Sequence, residues 1–217
     1  MVDFERLRRL MVDNQLRTSN VTDRRLLSAM QAVPREEFVP PARAPLAYID
    51  EAQDVGHGRA LAAPAPFAKL VQLAQIDADD AVLDVGVASG YSTAVLARLA
   101  GSVVGLEGVA ELAQTAQANL ARVGVSNARV IAGSAQTALA ADQSFDVIML
   151  EGAVDAVPAD LFDHLAEGGR LVALIRRGPA AVAHLFVKSG GAVNSRPEFN
   201  ASLPPLTPTR REEEFVF

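Results

Sequence analysis

The chain has 217 residues, half of them hydrophobic, with a formal net charge of −6 and no cysteine. That length supports one α/β domain with a small appendage and a sizeable core. The missing cysteines exclude thiol catalysis, a cysteine-based metal site and a disulfide scaffold, and the negative charge argues against nucleic acid as the main partner.

Asp3 and Glu5 interrupt the first residues, which do not read as a signal peptide, and no apolar run is long enough to span a bilayer. A cytoplasmic protein with no membrane partner is expected. The spacing of Phe4, Leu7, Leu10 and Met11 predicts a helix over residues 4–16, broken at Thr18-Ser19-Asn20. Thr22 reads as the N-cap of a second helix that runs to Ala32 and is ended by Pro34. Residues 33–40 are irregular and bounded by prolines, residues 42–61 read as loop or short extended pieces, and a helix is expected over 67–75.

From residue 81 the pattern alternates. Strands are predicted at 82–85, 102–106, 128–132, 145–150 and 170–175, with helices at 91–100, 109–123 and 158–166 between them. Alternation at this spacing implies parallel strands with right-handed crossovers and helices on both faces. Two extended runs, 182–188 and 192–203, meet at Gly190-Gly191 and predict an antiparallel hairpin on the sheet edge. Residues 206–217 hold Pro208, a charged run at 210–214 and the apolar end Phe215-Val216-Phe217, read as either a final strand or a mobile end. The expected division is an N-terminal helical layer, 1–76, on a Rossmann-like core, 77–217, in one compact unit.

The stretch Val82-Leu83-Asp84-Val85-Gly86-Val87-Ala88-Ser89-Gly90-Tyr91 runs from strand through a small-residue turn into helix. Free backbone N–H groups and the positive end of a helix dipole then face a ligand, as in the first half of a nucleotide-binding unit. Such ligands sit at the carboxyl ends of the strands. The first strand end offers Asp84, Gly86, Ala88, Ser89 and Gly90. The second offers Glu107, about 20 residues after the turn, where an acid holds ribose hydroxyls; its alternative role is a helix-start acid. The third offers Gly133-Ser134-Ala135 and the fourth Glu151-Gly152-Ala153. With three histidines, no cysteine and no close pair of ligands, no metal site is expected. The helical layer ahead of the unit and the closing hairpin favour the methyltransferase version of the fold over a nicotinamide dehydrogenase.

Over most of its length, roughly 11–206, the chain resembles the protein-L-isoaspartate O-methyltransferases. The residues that carry the resemblance are Met11-Val12-Asp13-Asn14-Gln15-Leu16, Val33-Pro34-Arg35-Glu36-Glu37-Phe38-Val39-Pro40, Val55-Gly56-His57-Gly58, the glycine turn itself, and Val157-Pro158-Ala159-Asp160-Leu161 through Gly168-Gly169-Arg170. The resemblance implies a seven-stranded methyltransferase sheet, S-adenosylmethionine as cofactor, and methyl transfer to the carboxylate of isoaspartyl residues in proteins or peptides. That acceptor is already ionised at neutral pH, so the reaction needs alignment in a dry site and no general base.

The chain departs from the family pattern at three places. A Thr-Ile-Ser-Gln-Pro-like acceptor segment reads Ala60-Leu61-Ala62-Ala63-Pro64, so both hydroxyls are replaced. The second glycine of the cofactor turn is Ala88, and a Gly-Asp pair beside the adenine is Gly133-Ser134. The expected cofactor residues are therefore Asp84, Gly86, Ala88, Ser89, Gly90, Glu107 and Ser134. The expected acceptor residues are His57, Arg59, Ala62 and Glu151: Arg59 as a partner for a carboxylate, Glu151 as an added negative charge. Two alternatives stay open from the sequence, a methyltransferase with another acceptor and a catalytically degenerate binding or assembly module.

Overall fold

The computed structural model describes residues 2–177 and 180–206. Helix α1, Phe4–Met11, is capped by the Asp3 side chain and runs on through a π-helical turn, Val12–Leu16, and a 3₁₀ turn, Arg17–Ser19. Asn20, in the left-handed conformation at φ 64°, ends this stretch. Helix α2, Arg24–Ala32, starts one residue later than the sequence suggests. Asp23 caps it by accepting from the Arg25 and Leu26 N–H groups, while the Gln72 side chain accepts from the Thr22 and Asp23 N–H groups at 2.7 and 3.0 Å.

Residues 33–61 are mostly short turns, with 3₁₀ segments Arg35–Phe38 and Pro41–Leu46, and a small antiparallel hairpin, β1 (Gln53–Gly56) and β2 (Arg59–Leu61). Helix α3, Pro64–Ala74, begins earlier than the apolar spacing indicates, because prolines at its first turn fit a helix start. Its face of Phe67, Leu70, Val71 and Ala74 is buried.

The main sheet is built from β3 (Ala81–Val85), β4 (Ser102–Glu107), β5 (Ala128–Ala132), β6 (Phe145–Val154), β7 (Leu165–Arg177), β8 (Ala180–Ser189) and β9 (Ala192–Ala201). Its order is β5-β4-β3-β6-β7-β8-β9, with β8 antiparallel to both β7 and β9 and the other neighbours parallel. The strand order reverses beside β3, so the β3 and β6 ends frame the switch point at which ligands of such sheets sit. The expected hairpin joins at Gly190 and Gly191, both at positive φ, as a two-residue turn of the twist-matching kind requires.

Side chains alternate between two cores. Leu83, Leu106, Ile148, Leu150 and Leu171 fill one face, and Val82, Val103, Val147, Met149 and Leu174 the other, where α1, α2 and α3 also pack. The crossover helices are α4 (Tyr91–Leu96), α5 (Ala110–Arg122), α6 (Ala135–Ala138) and α7 (Asp160–Asp163). Arg170 ties α3 to the sheet by donating to the Ala74 carbonyl and to Asp80, each at 2.6 Å.

Two expectations need correction. The helix predicted over 158–166 is the single turn α7, since Leu165 already pairs with Phe145 as strand. Strand β6 does not stop at Leu150. It continues through a bulge in which Met149 pairs with Val172 and Ala153 with Leu174, so Glu151 and Gly152 bend out of the ladder. The bulge makes room for the segment ending at Leu206, which bridges β6 through the Ala153 N–H to the Pro204 carbonyl and the Leu206 N–H to the Ala153 carbonyl, both at 2.9 Å. A Cβ on Gly152 would sit 2.6 Å from the Leu206 Cα, so only glycine fits there. The expectations for Pro208, the charged run at 210–214 and Phe215-Val216-Phe217 lie outside the described residues. Among the described residues no helix is long and apolar enough to cross a membrane.

Candidate active site

Two cavities meet at the glycine turn. The open one, about 320 Å³, lies over the ends of β3 and β4 and is lined by Arg59, Gly86, Glu107, Gly133, Ser134, Leu206 and the apolar Val85, Leu106, Val109 and Leu161. The other is closed, about 10 Å³, and is lined by Arg35, Ala60, Ala62, Gly86, Ala88, Tyr91 and Glu151. Gly86 belongs to both. A side chain there would meet the Arg59 Nη2 at 2.7 Å and overlap the Leu206 methyl, so Arg59 and Leu206 fill the space between the cavities.

Glu107 is 2 % exposed, and both its carboxylate oxygens accept hydrogen bonds. Oε2 accepts from the Ala88 N–H at 2.7 Å and from Arg59 Nη2 at 3.2 Å, and Oε1 accepts from the Val109 N–H at 3.1 Å. Both roles weighed for Glu107 are thus visible: it faces the cavity, and it binds the N–H just ahead of α5. Arg59 finds its carboxylate within the protein, in Glu107, and also donates to the Gly86 carbonyl at 2.8 Å. Ala88 adopts φ 51°, the left-handed region in which glycine is free and alanine costs about 1–2 kcal/mol. That conformation aims its N–H at Glu107.

Asp84 is fully buried beneath the turn. Its Oδ2 accepts from the Ser92 and Thr93 hydroxyls at 2.8 and 2.7 Å, which fastens β3 to the first turn of α4. Among the described residues no donor group meets its Oδ1 or Glu151 Oε1. Burial pushes the Asp84 carboxyl up to about 6, against the pull of the two hydroxyls and of a hydrogen bond with Glu151. Burial, followed by the Asp84 charge and that same hydrogen bond, raises Glu151 well above the usual carboxylate range, with Arg59 opposing. Burial beside another carboxyl thus works against the added negative charge expected at Glu151.

The remaining candidates divide. Ser134 is exposed at the cavity rim, and its N–H donates to Thr137 Oγ1 at 3.0 Å. Ser89 turns away: its hydroxyl donates to the Phe38 carbonyl, while its own carbonyl accepts from Asn119. Gly90, at φ 93°, caps α4 and lies against Ala116, where a Cβ would approach to 3.0 Å. Both shape the turn rather than the cavities. His57 sits at the exposed tip of the β1–β2 hairpin at φ 56°, facing a separate groove of about 510 Å³ along Phe38 and Pro40. That groove is also lined by Ser89 of the glycine turn, so His57 faces the turn from outside the two cavities.

Arg35 and Tyr91 were not among the candidates. Arg35 is 1 % exposed, donates to the Ala47 carbonyl at 2.8 Å and to the Ala62 carbonyl at 2.6 Å, and lies 4.6 Å from the centre of the Tyr91 ring. It thereby fixes the backbone of the segment that holds Ala62. Its only sequence signal was its place in the Val33–Pro40 run.

The model of the family described as protein-L-isoaspartate(D-aspartate) O-methyltransferase matches residues 6–210. A protein-L-isoaspartate O-methyltransferase of Koribacter versatilis is 42 % identical over 162 residues, 75 % of this chain and 73 % of that one. One of Methanoculleus marisnigri is 36 % identical over 203 residues, 93 % of this chain and 91 % of that one. Among solved structures, a Plasmodium falciparum protein described as a protein-L-isoaspartate O-methyltransferase, in complex with S-adenosyl-L-homocysteine, superposes with a TM-score of 0.80 at 23 % identity, covering 96 % of this chain and all of that one. At that identity the superposition speaks for the fold.

Proposed function

The chain belongs to the protein-L-isoaspartate(D-aspartate) O-methyltransferase family, and from that premise we propose how its two cavities divide the reaction: the open one receives the adenosine half of the cofactor, and the closed one marks where methyl group and acceptor meet. The protein is an S-adenosylmethionine-dependent methyltransferase acting on L-isoaspartyl residues of proteins and peptides. The observation that carries the division is Glu107, which ends β4 at the wall of the open cavity, one glycine away from the closed one.

The residues present fit the cofactor. Glu107 would hold the ribose hydroxyls, Gly133 and Ser134 would border the adenine, and Val85, Leu106, Val109 and Leu161 supply apolar walls. The unpartnered buried atoms Arg59 Nε, Asp84 Oδ1 and Glu151 Oε1 match a methionyl end that carries both a carboxylate and an ammonium group. When bound, S-adenosylmethionine supplies a methyl group made electrophilic by its sulfonium. The protein's share is placement and the exclusion of water. Arg59 and Leu206 yield the space at Gly86, the β1–β2 hairpin carries Arg59 and Ala60 with it, and Arg35 keeps the Ala62 backbone fixed as the acceptor carboxylate is aligned. On this division residues 1–76 form the acceptor side and 77–217 the cofactor side.

The acceptor segment gives a direct test. Ala62 offers only backbone polar groups, and its carbonyl is taken by Arg35. Ala62→Ser restores one hydroxyl donor, and one such hydrogen bond at a hydrated site is worth a net of about 1–1.5 kcal/mol. We expect kcat/KM for an isoaspartyl peptide to rise about five- to tenfold, with the cofactor KM unchanged, in an assay of labelled methyl incorporation. An unchanged peptide kcat/KM would place the acceptor away from residue 62.

A further inference from the structure

We propose that the Tyr91 hydroxyl holds one oxygen of the acceptor carboxylate in the closed cavity, with the Arg35 guanidinium supplying the attracting charge, so that these two side chains stand in for the hydroxyls replaced at Ala60 and Ala62. The inference rests on the acceptor reading above and names the donor that the acceptor meets.

Tyr91 is the first residue of α4 and is 2 % exposed. Its ring is held from three directions. Phe38 meets it edge-on with the ring centres 5.7 Å apart, Phe67 lies at 5.9 Å, and Arg35 stands over it, 4.6 Å from the ring centre. Packing of this kind leaves the ring little freedom. A buried tyrosine hydroxyl ordinarily finds a hydrogen-bond partner. This one meets none among the described residues. An unpaired buried hydroxyl destabilises the free protein, and a ligand oxygen would satisfy it.

The cavity fits one such atom. It measures about 10 Å³, the room of a single oxygen-sized group, and Tyr91, Arg35, Ala60 and Ala62 share its wall. The two alanine side chains carry no polar atom. Ser92, also on the wall, gives its hydroxyl to Asp84 at 2.8 Å. Tyr91 is therefore the hydroxyl donor left for a ligand.

The charges on the wall set what that ligand is. Arg35 gives its hydrogen bonds to the Ala47 and Ala62 carbonyls, and among the described residues no carboxylate lies within hydrogen-bond distance of it. A buried cation without such a partner favours the entry of an anion. Glu151 is the one carboxyl on the wall, and an acceptor carboxylate that enters against it depends on Arg35 for its attraction. A phenol keeps its proton at neutral pH. It donates to one carboxylate oxygen and leaves the second to take the methyl group.

Tyr91→Phe removes the hydroxyl and keeps the ring. In an assay of labelled methyl transfer to an isoaspartyl peptide, its kcat/KM is expected to fall about ten- to a hundredfold, the loss of one hydrogen bond to a charged group. The Kd of S-adenosylhomocysteine, measured by calorimetry, should stay at the wild-type value. The urea midpoint should equal or exceed that of the wild type, because no hydrogen bond of the free protein is broken and an unpaired buried group is removed. An unchanged peptide kcat/KM in Tyr91→Phe overturns the proposal. So does a Kd for S-adenosylhomocysteine weakened by the same factor, which would give Tyr91 to the cofactor, or a lowered urea midpoint, which would give it a structural role. Each of these leaves the acceptor reading standing. Wild-type protein that binds S-adenosylhomocysteine and methylates no isoaspartyl peptide overturns both.

Discussion

Replacing Glu107 by alanine is expected to lower the unfolding free energy by about 3–5 kcal/mol and to abolish S-adenosylhomocysteine binding. Glu107 is the shared partner of three donors, the Ala88 and Val109 N–H groups and the Arg59 guanidinium. Its loss leaves the Arg59 cation, only 9 % exposed, with no carboxylate, together with a strained Ala88 whose N–H has nothing to bind. The opposite deletion is milder. Arg59→Leu leaves Glu107 with two backbone donors and is expected to cost about 1–3 kcal/mol, mainly through desolvated groups at Gly86 and Glu107. The double variant Arg59→Leu with Glu107→Leu removes both charges and should recover much of the loss, because a buried pair exchanged for apolar groups is often close to neutral. Urea denaturation of the three variants checks the order. If Arg59→Leu proves the most damaging of the three, Glu107 is not the anchor of this pair.

The second large effect is expected at Arg35. Arg35→Leu leaves the Ala47 and Ala62 carbonyls without their donor, at about 1–3 kcal/mol each, and removes a cation over the Tyr91 ring. Relief of a buried charge without a carboxylate partner at hydrogen-bond distance offsets part of this, since burial alone pulls the guanidinium below its ordinary value. A net loss of about 2–4 kcal/mol is expected in the urea midpoint, together with a weaker KM for the peptide substrate, because Ala62 loses its fixed backbone. A stable Arg35→Leu variant with unchanged peptide KM would assign Arg35 no part in holding the acceptor segment.

What the sequence disclosed follows the range over which its signals act. The glycine turn, Glu107 and the closing hairpin were legible because each is written in a run of about twenty residues or fewer: a change of period at Gly86–Tyr91, an acid ending an apolar strand, two glycines between extended runs. The Asp84 contacts cross that same turn to Ser92 and Thr93, yet no pattern marks which hydroxyls fold back. Features built by distant pairing stayed hidden. Arg59 meets Glu107 across 48 residues, and the two positions were read separately as acceptor-side and cofactor-side groups. Gln72, from α3, accepts from the Thr22 and Asp23 N–H groups across about fifty residues, a contact at the start of α2 that no local pattern announces. The bulge at Glu151 depends on the chain at 203–206 crossing above Gly152. That bulge is why Glu151 leaves the ladder and lines the small cavity.

The family resemblance read from the sequence agrees with the family match and the fold. The acceptor side differs most from the family pattern, with Ala60 and Ala62 in place of hydroxyls and a cavity of only about 10 Å³ between them and Glu151. A backbone fixed by Arg35 and the buried Glu151 carboxyl are the groups this chain sets there instead.

Transfer of labelled methyl from S-adenosylmethionine to a peptide containing one L-isoaspartyl residue, beside the same peptide with a normal aspartyl residue, tests the account most directly. The account predicts saturable, base-labile labelling of the isoaspartyl peptide alone, inhibited by S-adenosylhomocysteine. Equal labelling of the two peptides, or tight S-adenosylhomocysteine binding with no labelling of either, would contradict it.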